Sequence, residues 1–67
     1  MKVYEKICTY LIENKIKQNS VAEKAGIPID TFRAILKGEK ALYVEEFRAI
    51  CLALNVSPEK FIEEKTA

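Results

Sequence analysis

Basic side chains are concentrated in the middle of this chain, and they are the residues best suited to bind a polyanion. Between residues 15 and 40, six lysines and arginines stand against three acids, an excess of three, whereas residues 41–67 carry three bases and five acids, a deficit of two. The formal net charge is only +1, so this local excess is what indicates a surface for phosphate. The alternative is that these are ordinary solvated lysines.

Catalytic chemistry is not indicated by the residue types. The chain has no histidine, no nucleophile motif and no glycine-rich phosphate loop, and its carboxylates are scattered over polar helix faces. Cys8 and Cys51 lie among apolar residues and lack the histidines of a typical zinc set. We therefore expect buried free thiols, with a disulfide as the less favoured alternative, no enzymatic activity and no cofactor.

Two short helices must position the basic segment. Their inward positions are apolar: Val21, Ala25, Phe32 and Ile35. Ala22 permits a close approach of the two helices, and Gly26 can take the positive φ of a sharp turn. This spacing predicts a helix-turn-helix with helices over about 18–25 and 29–37, the second shaped to enter a DNA major groove.

Three further helices are predicted around this pair, within a single cytoplasmic domain spanning residues 1–67. Apolar residues at helical spacing predict helix 1 over about 2–13, ended by Asn14 and Lys15, and helix 4 over about 43–54. Ser57 as N-cap and Pro58 at the first helical position give the strongest helix start, for helix 5. Lys17 is a poor N-cap for helix 2.

The pattern resembles the Cro/C1 type of phage and bacterial repressors over roughly residues 7–62. With Gln18 as the first motif position, the family's aliphatic, alanine and glycine positions are occupied by Val21, Ala22, Ala25, Gly26, Ile27, Phe32 and Ile35. The match continues through Gly38 and the segment NVSPEKFI. The resemblance implies an all-α, compact five-helix domain of the lambda-repressor-like type that binds DNA.

One pair of residues departs from the family pattern. Many members carry an arginine in helix 1 and a glutamate at the end of helix 3 that form an ion pair, and the matching positions here are Leu11 and Leu36. Replacing a buried ion pair by packed apolar residues is often neutral or stabilising. We therefore expect Leu11 to contact Leu36.

The resemblance also implies roles for the outer face of helix 3. The base-reading positions are Ile29, Asp30, Arg33 and Ala34. Arg33 is the strong donor among them and can fork onto guanine O6 and N7. Asp30 could accept from cytosine N4, complement the helix dipole or pair with Arg33, and Ile29 could belong partly to the core.

Phosphate contacts are implied for residues flanking the reading face, namely Lys17, Gln18, Thr31, Lys37 and Lys40. Thr31 could instead act as a local cap. One recognition helix with so few donors would bind weakly, which favours a homodimer on two half-sites of a double-stranded operator. Candidate dimer residues are Leu42, Tyr43, Leu52 and Ile62.

The resulting expectation is a sequence-specific DNA-binding transcriptional regulator, acting as a repressor, with no membrane association and no small-molecule ligand. The alternative is a protein–protein interaction module that keeps the repressor fold but binds DNA weakly or not at all. Uncharged residues such as Ile29, Leu36 and Tyr43 and the small basic excess favour that alternative somewhat.

Overall fold

The structure, a computed structural model, describes residues 2–62. Four α-helices make up most of this range. They are α1 (Val3–Glu13), α2 (Gln18–Ala25), α3 (Ile29–Leu36) and α4 (Val44–Leu54), and no β-strand lies within residues 2–62. The all-α prediction is confirmed, and the predicted ends of these helices agree with the structure to within one residue.

The predicted fifth helix is wrong, because within the described residues this segment forms only a single 3-10 turn at Pro58–Lys60. The expected cap is present, since Ser57 Oγ accepts a hydrogen bond from the Glu59 N–H at 3.4 Å. A cap contributes only about 1 kcal/mol, however, and short helices depend on packing for their stability. The packing here comes from Phe61, which is buried directly after the turn. The polar composition of residues 63–67 predicts a frayed tail, but these residues lie outside the described ones.

The core lies where α2 packs against α3 and α4, and where α3 packs against α1. Its buried residues are Ile7, Leu11, Val21, Ala22, Ile27, Phe32, Ile35, Leu36, Ile50, Cys51 and Phe61, and no polar side chain is buried within residues 2–62. Leu11 and Leu36 are both buried in one apolar cluster. Their burial at the packing of α1 on α3 agrees with an apolar replacement of the family's ion pair.

Val44, one of the apolar residues whose spacing predicts helix 4, does not lie in the core, and Cys8 packs against the core but is not fully buried. Val44 is 72% exposed because it is the first residue of α4 and lies at the end of the helix.

Cys8 is half-buried and free, whereas Cys51 is buried and free. Burial raises the pKa of the Cys51 thiol, since the interior disfavours the charged thiolate.

Acidic residues fix the first turns of α1 and α4. Glu5 Oε1 accepts a hydrogen bond from the Lys2 N–H at 2.7 Å, and Glu46 Oε1 accepts one from the Tyr43 N–H at 3.2 Å. In both cases the carboxylate stands three residues after the N-cap and satisfies a backbone donor that the helix leaves unpaired.

All four helices end in the same way, with a residue in the left-handed conformation. These residues are Lys15, Gly26, Gly38 and Asn55. At each end, the N–H of the left-handed residue and the N–H of the next residue bond back to carbonyls of the last turn, which is the Schellman arrangement. For α1 the left-handed residue is Lys15 with φ 56°, whereas Asn14, with φ −99°, is not left-handed. Asn14 instead donates from Nδ2 to the Tyr10 carbonyl at 2.8 Å.

We expect Lys15→Gly to stabilise the protein. The left-handed conformation costs a residue with a Cβ about 1–2 kcal/mol, and glycine avoids that cost while losing about 0.5–1 kcal/mol through the greater entropy of its unfolded chain. The expected gain is up to about 1.5 kcal/mol, measured as a rise of several degrees in Tm. Lys15→Ala removes the same charge but keeps the Cβ. An equal gain in that control would contradict the conformational explanation.

Candidate nucleic-acid interface

The turn between α2 and α3 is built at Gly26. This residue has φ 74° and ψ 26°, and a Cβ placed on it would meet no atom within 4 Å. The backbone conformation, and not a lack of space, is therefore what favours glycine here. The Gly26 N–H donates to the Glu23 carbonyl at 3.2 Å, and the Ile27 N–H donates to the Ala22 carbonyl at 2.9 Å.

Ala22 is buried on α2, the first helix of the pair. It is 2% exposed, as expected for a residue at a close approach, and α2 packs against α3. Ile27, directly after the turn, is also buried and ties the connecting segment to the core. These contacts fix the direction in which α3 leaves the turn, so the helix-turn-helix predicted from sequence is present.

The two faces of α3 are chemically distinct. Phe32 and Ile35 have no exposed surface and Leu36 is buried, so one face belongs to the core. The opposite face carries the exposed polar residues Asp30 and Arg33, and the exposed Lys37 follows directly after the helix at the same helical spacing. Because α3 packs on α1 and α2, this polar face remains open to a large ligand.

The four predicted base-reading residues are not equally available. Asp30 and Arg33 are exposed, whereas Ile29 and Ala34 are half-buried. Ile29 packs partly against the core, so only part of its side chain can reach a ligand. Within residues 2–62, no hydrogen bond or ion pair joins Arg33 to Asp30, which leaves the guanidinium able to bind an external acceptor.

The start of α2 offers backbone donors to an anion. Lys17 precedes the helix in an extended conformation and provides no side-chain cap, as expected, and the first turn of α2 contains no acid. Gln18, the first helical residue, is half-buried, whereas Lys17 is exposed. The amides of an uncapped first turn, together with the positive end of the helix dipole, suit a phosphate oxygen.

The other candidate phosphate contacts lie at the two ends of α3. Lys37 and Lys40 are exposed on the connector that follows α3, whereas Thr31 is half-buried in the first turn of that helix. Lys37 adjoins Gly38, whose φ of 80° closes the helix. The two lysines therefore stand on a turn at the same end of α3, and their positions depend on what holds that turn.

Tyr4 contacts this turn and was not singled out from the sequence. A Cβ placed on Gly38 would lie 2.6 Å from Tyr4 Oη and 2.7 Å from Tyr4 Cζ, so the ring packs directly against the glycine. Tyr4 also lines a shallow cleft of about 440 Å³ together with Cys8, Leu36 and Lys37. Tyr4 stands one helical turn before the buried Ile7, a spacing that places it toward the core but does not identify Gly38 as its neighbour.

The apolar residues expected at a dimer surface fall in two separate places. Leu42, half-buried, and Ile62, 46% exposed, line an open apolar groove of about 270 Å³ with Val3, Val44 and Phe47. Leu52, 81% exposed, lies in another cleft with Cys51 and Val56. Tyr43 is 64% exposed. Ile12, on α1, is 71% exposed and was not anticipated.

The chain matches the family described as the Cro/C1-type HTH DNA-binding domain over residues 6–65. Comparison with curated proteins and with solved structures returned no match. None of the helices within residues 2–62 has the length and apolar character needed to cross a bilayer.

Proposed function

This chain belongs to the Cro/C1-type helix-turn-helix DNA-binding domains, and from that premise we propose that it is a sequence-specific transcriptional regulator that inserts α3 into the major groove. The observation that carries the proposal is the division of α3 into a core face and an open polar face. Bound across an operator, such a domain would exclude polymerase, and we propose repression on that ground.

Arg33 is the principal base reader in this proposal. Its guanidinium is exposed and has no ion-pair partner among residues 2–62, so its donors are free to bind guanine O6 and N7 together. Asp30, also exposed, is positioned to accept from cytosine N4. Ile29 and Ala34 contribute apolar contact at the base edges, with Ile29 limited to the part of its side chain that the core leaves uncovered.

Phosphate contacts would hold the helix in register. The uncapped start of α2 at Lys17 and Gln18 would bind one phosphate group, and Lys37 and Lys40 would bind others beyond the end of α3. Thr31, half-buried in the first turn of α3, has a hydroxyl that can donate to the backbone of the duplex. These contacts carry no base information, but they set the depth and angle of α3.

Two subunits are required in the proposal because a single reading face with one strong donor gives little affinity. Half-sites separated by about 34 Å would place both copies of α3 on one side of the duplex. The groove of Leu42, Val44 and Ile62 is the more extensive apolar surface and is our candidate for the homodimer contact. Tyr43 adjoins it in sequence, and Leu52 would lie outside it.

A titration with mixed-sequence genomic DNA tests the proposal against a protein–protein interaction module of the same fold. The exposed apolar groove and Leu52 favour that second candidate. DNA binding by this interface should weaken steeply between about 50 and 200 mM salt, since each phosphate neutralised releases counterions. If the protein shows no binding even at the lowest salt concentration, the DNA-binding proposal fails and the interaction module takes its place.

A further inference from the structure

We propose that Tyr4 is a positioning residue for DNA binding, because its ring holds the turn after α3 that carries Lys37 and Lys40. The inference rests on the proposed function, in which those two lysines bind phosphate. It assigns a role in recognition to α1, which contributes no residue to the reading face itself.

The contact between Tyr4 and Gly38 is so close that the tyrosine ring would have to move if position 38 carried a Cβ. Cβ atoms are not found within 3.0 Å of another heavy atom, and a Cβ on Gly38 would lie 2.6 Å from Tyr4 Oη, 2.7 Å from Cζ and 3.0 Å from Cε1. Gly38 also has φ 80°, a conformation that favours glycine in its own right. The edge of the phenol ring therefore lies directly on the backbone of the turn.

The other three helix ends show why this turn needs an external support. In the Schellman arrangement, an apolar residue after the left-handed position commonly packs back onto the last helical turn. That residue is Ile16 after α1, Ile27 after α2 and Val56 after α4, and all three pack in or against the core. After α3 the equivalent residue is Glu39, which is exposed.

The turn after α3 is therefore closed by hydrogen bonds but has no apolar anchor of its own. The Gly38 N–H donates to the Ile35 carbonyl at 3.0 Å, and the Glu39 N–H donates to the Ala34 carbonyl at 2.9 Å. Tyr4 supplies the missing packing from another helix. Without the ring, the turn that carries Lys37 and Lys40 would keep its backbone hydrogen bonds but lose this packing, and ordering the two lysines on phosphate would cost conformational entropy.

The test measures the salt dependence of binding to a short mixed-sequence duplex for three variants. Tyr4→Ala should lower the slope of log K against log salt by about one to two, the loss expected for one or two phosphate contacts. Tyr4→Phe keeps the ring carbons that touch Gly38 and should retain the original slope. Tyr10→Ala is the matched control, since Tyr10 is another half-buried tyrosine of α1 but packs against Phe61 at 5.6 Å between ring centroids.

Tyr10→Ala should destabilise the protein and leave the slope unchanged. An unchanged slope in Tyr4→Ala, or an equal decrease in Tyr10→Ala, would overturn the inference. If Tyr4→Phe lost as much as Tyr4→Ala, the hydroxyl would be acting directly and the packing role would be wrong.

Amide hydrogen exchange separates this inference from the proposed function, because it needs no DNA. In Tyr4→Ala the Gly38 and Glu39 amides should exchange about tenfold faster, while the Gly26 and Ile27 amides of the equivalent turn after α2 keep their rates. Equal exchange at both turns would show that Tyr4 does not hold the connector. If the unmodified protein bound no duplex, the proposed function would fail, and the exchange rates alone would then decide whether Tyr4 fixes the turn.

Discussion

Phe32→Ala is expected to lower the free energy of unfolding by about 3–5 kcal/mol. Phe32 has no exposed surface and is among the largest fully buried side chains of the described residues. Truncating a buried phenylalanine to alanine costs about 3–5 kcal/mol. A 67-residue domain has about 3–10 kcal/mol of stability in total, so the loss removes at least about a third of it and, at the lower end of that range, all of it. Urea denaturation followed by far-ultraviolet circular dichroism measures the change.

The neighbouring residue provides the control for this prediction. Arg33→Ala alters an exposed side chain on the opposite face of α3 and should change the free energy of unfolding by less than about 0.5 kcal/mol. If Phe32→Ala cost less than about 1 kcal/mol, or no more than Arg33→Ala, the division of α3 into a core face and an open face would be wrong.

Arg33→Ala is expected to weaken binding to the preferred operator strongly, although it should leave the free energy of unfolding almost unchanged. Loss of a bidentate contact to guanine should weaken that binding by about 1–3 kcal/mol and relax the preference at one base pair. Lys37→Ala should instead weaken binding to every sequence, by a factor that is nearly the same from one sequence to another, because a phosphate contact carries no base information. Selection of bound duplexes from a random pool, followed by measurement of Kd for the selected and unselected sequences, distinguishes the two effects.

The opposite pattern would contradict the assignment of the two residues. If both variants lost affinity uniformly over all sequences, Arg33 would be a phosphate contact. If neither lost affinity, α3 would not be the reading helix. Far-ultraviolet circular dichroism of both variants confirms that the comparison concerns folded protein.

The helix-turn-helix could be predicted from sequence because local residue types determine it. Gly26 is suited to the left-handed turn, Ala22 is small at the closest approach, and Phe32 and Ile35 recur at helical spacing, so each position indicates the same geometry. The burial of Leu11 and Leu36 agrees with the expected apolar replacement of the family's ion pair, whereas their direct contact stays a prediction.

The features that sequence did not predict depend on contacts between distant residues. Ser57 and Pro58 are good helix starters, yet the chain forms only one 3-10 turn because Phe61 packs into the core immediately afterward. Lys15, and not Asn14, takes the left-handed position, because Ile16 must follow it and pack against the core. The contact between Tyr4 and Gly38 depends on the packing of α1 against α3, which brings together residues that are far apart in sequence.

The central claim is that the open face of α3 is the surface that binds DNA. The most direct test is to titrate isotope-labelled protein with operator duplex and to follow the amide signals by nuclear magnetic resonance. We predict the largest amide shifts at Lys17 and Gln18, across residues 29–34 and across residues 37–40, with a large shift of the Arg33 side-chain N–H. Shifts centred on the groove of Leu42, Val44 and Ile62, with α3 unaffected, would contradict the claim.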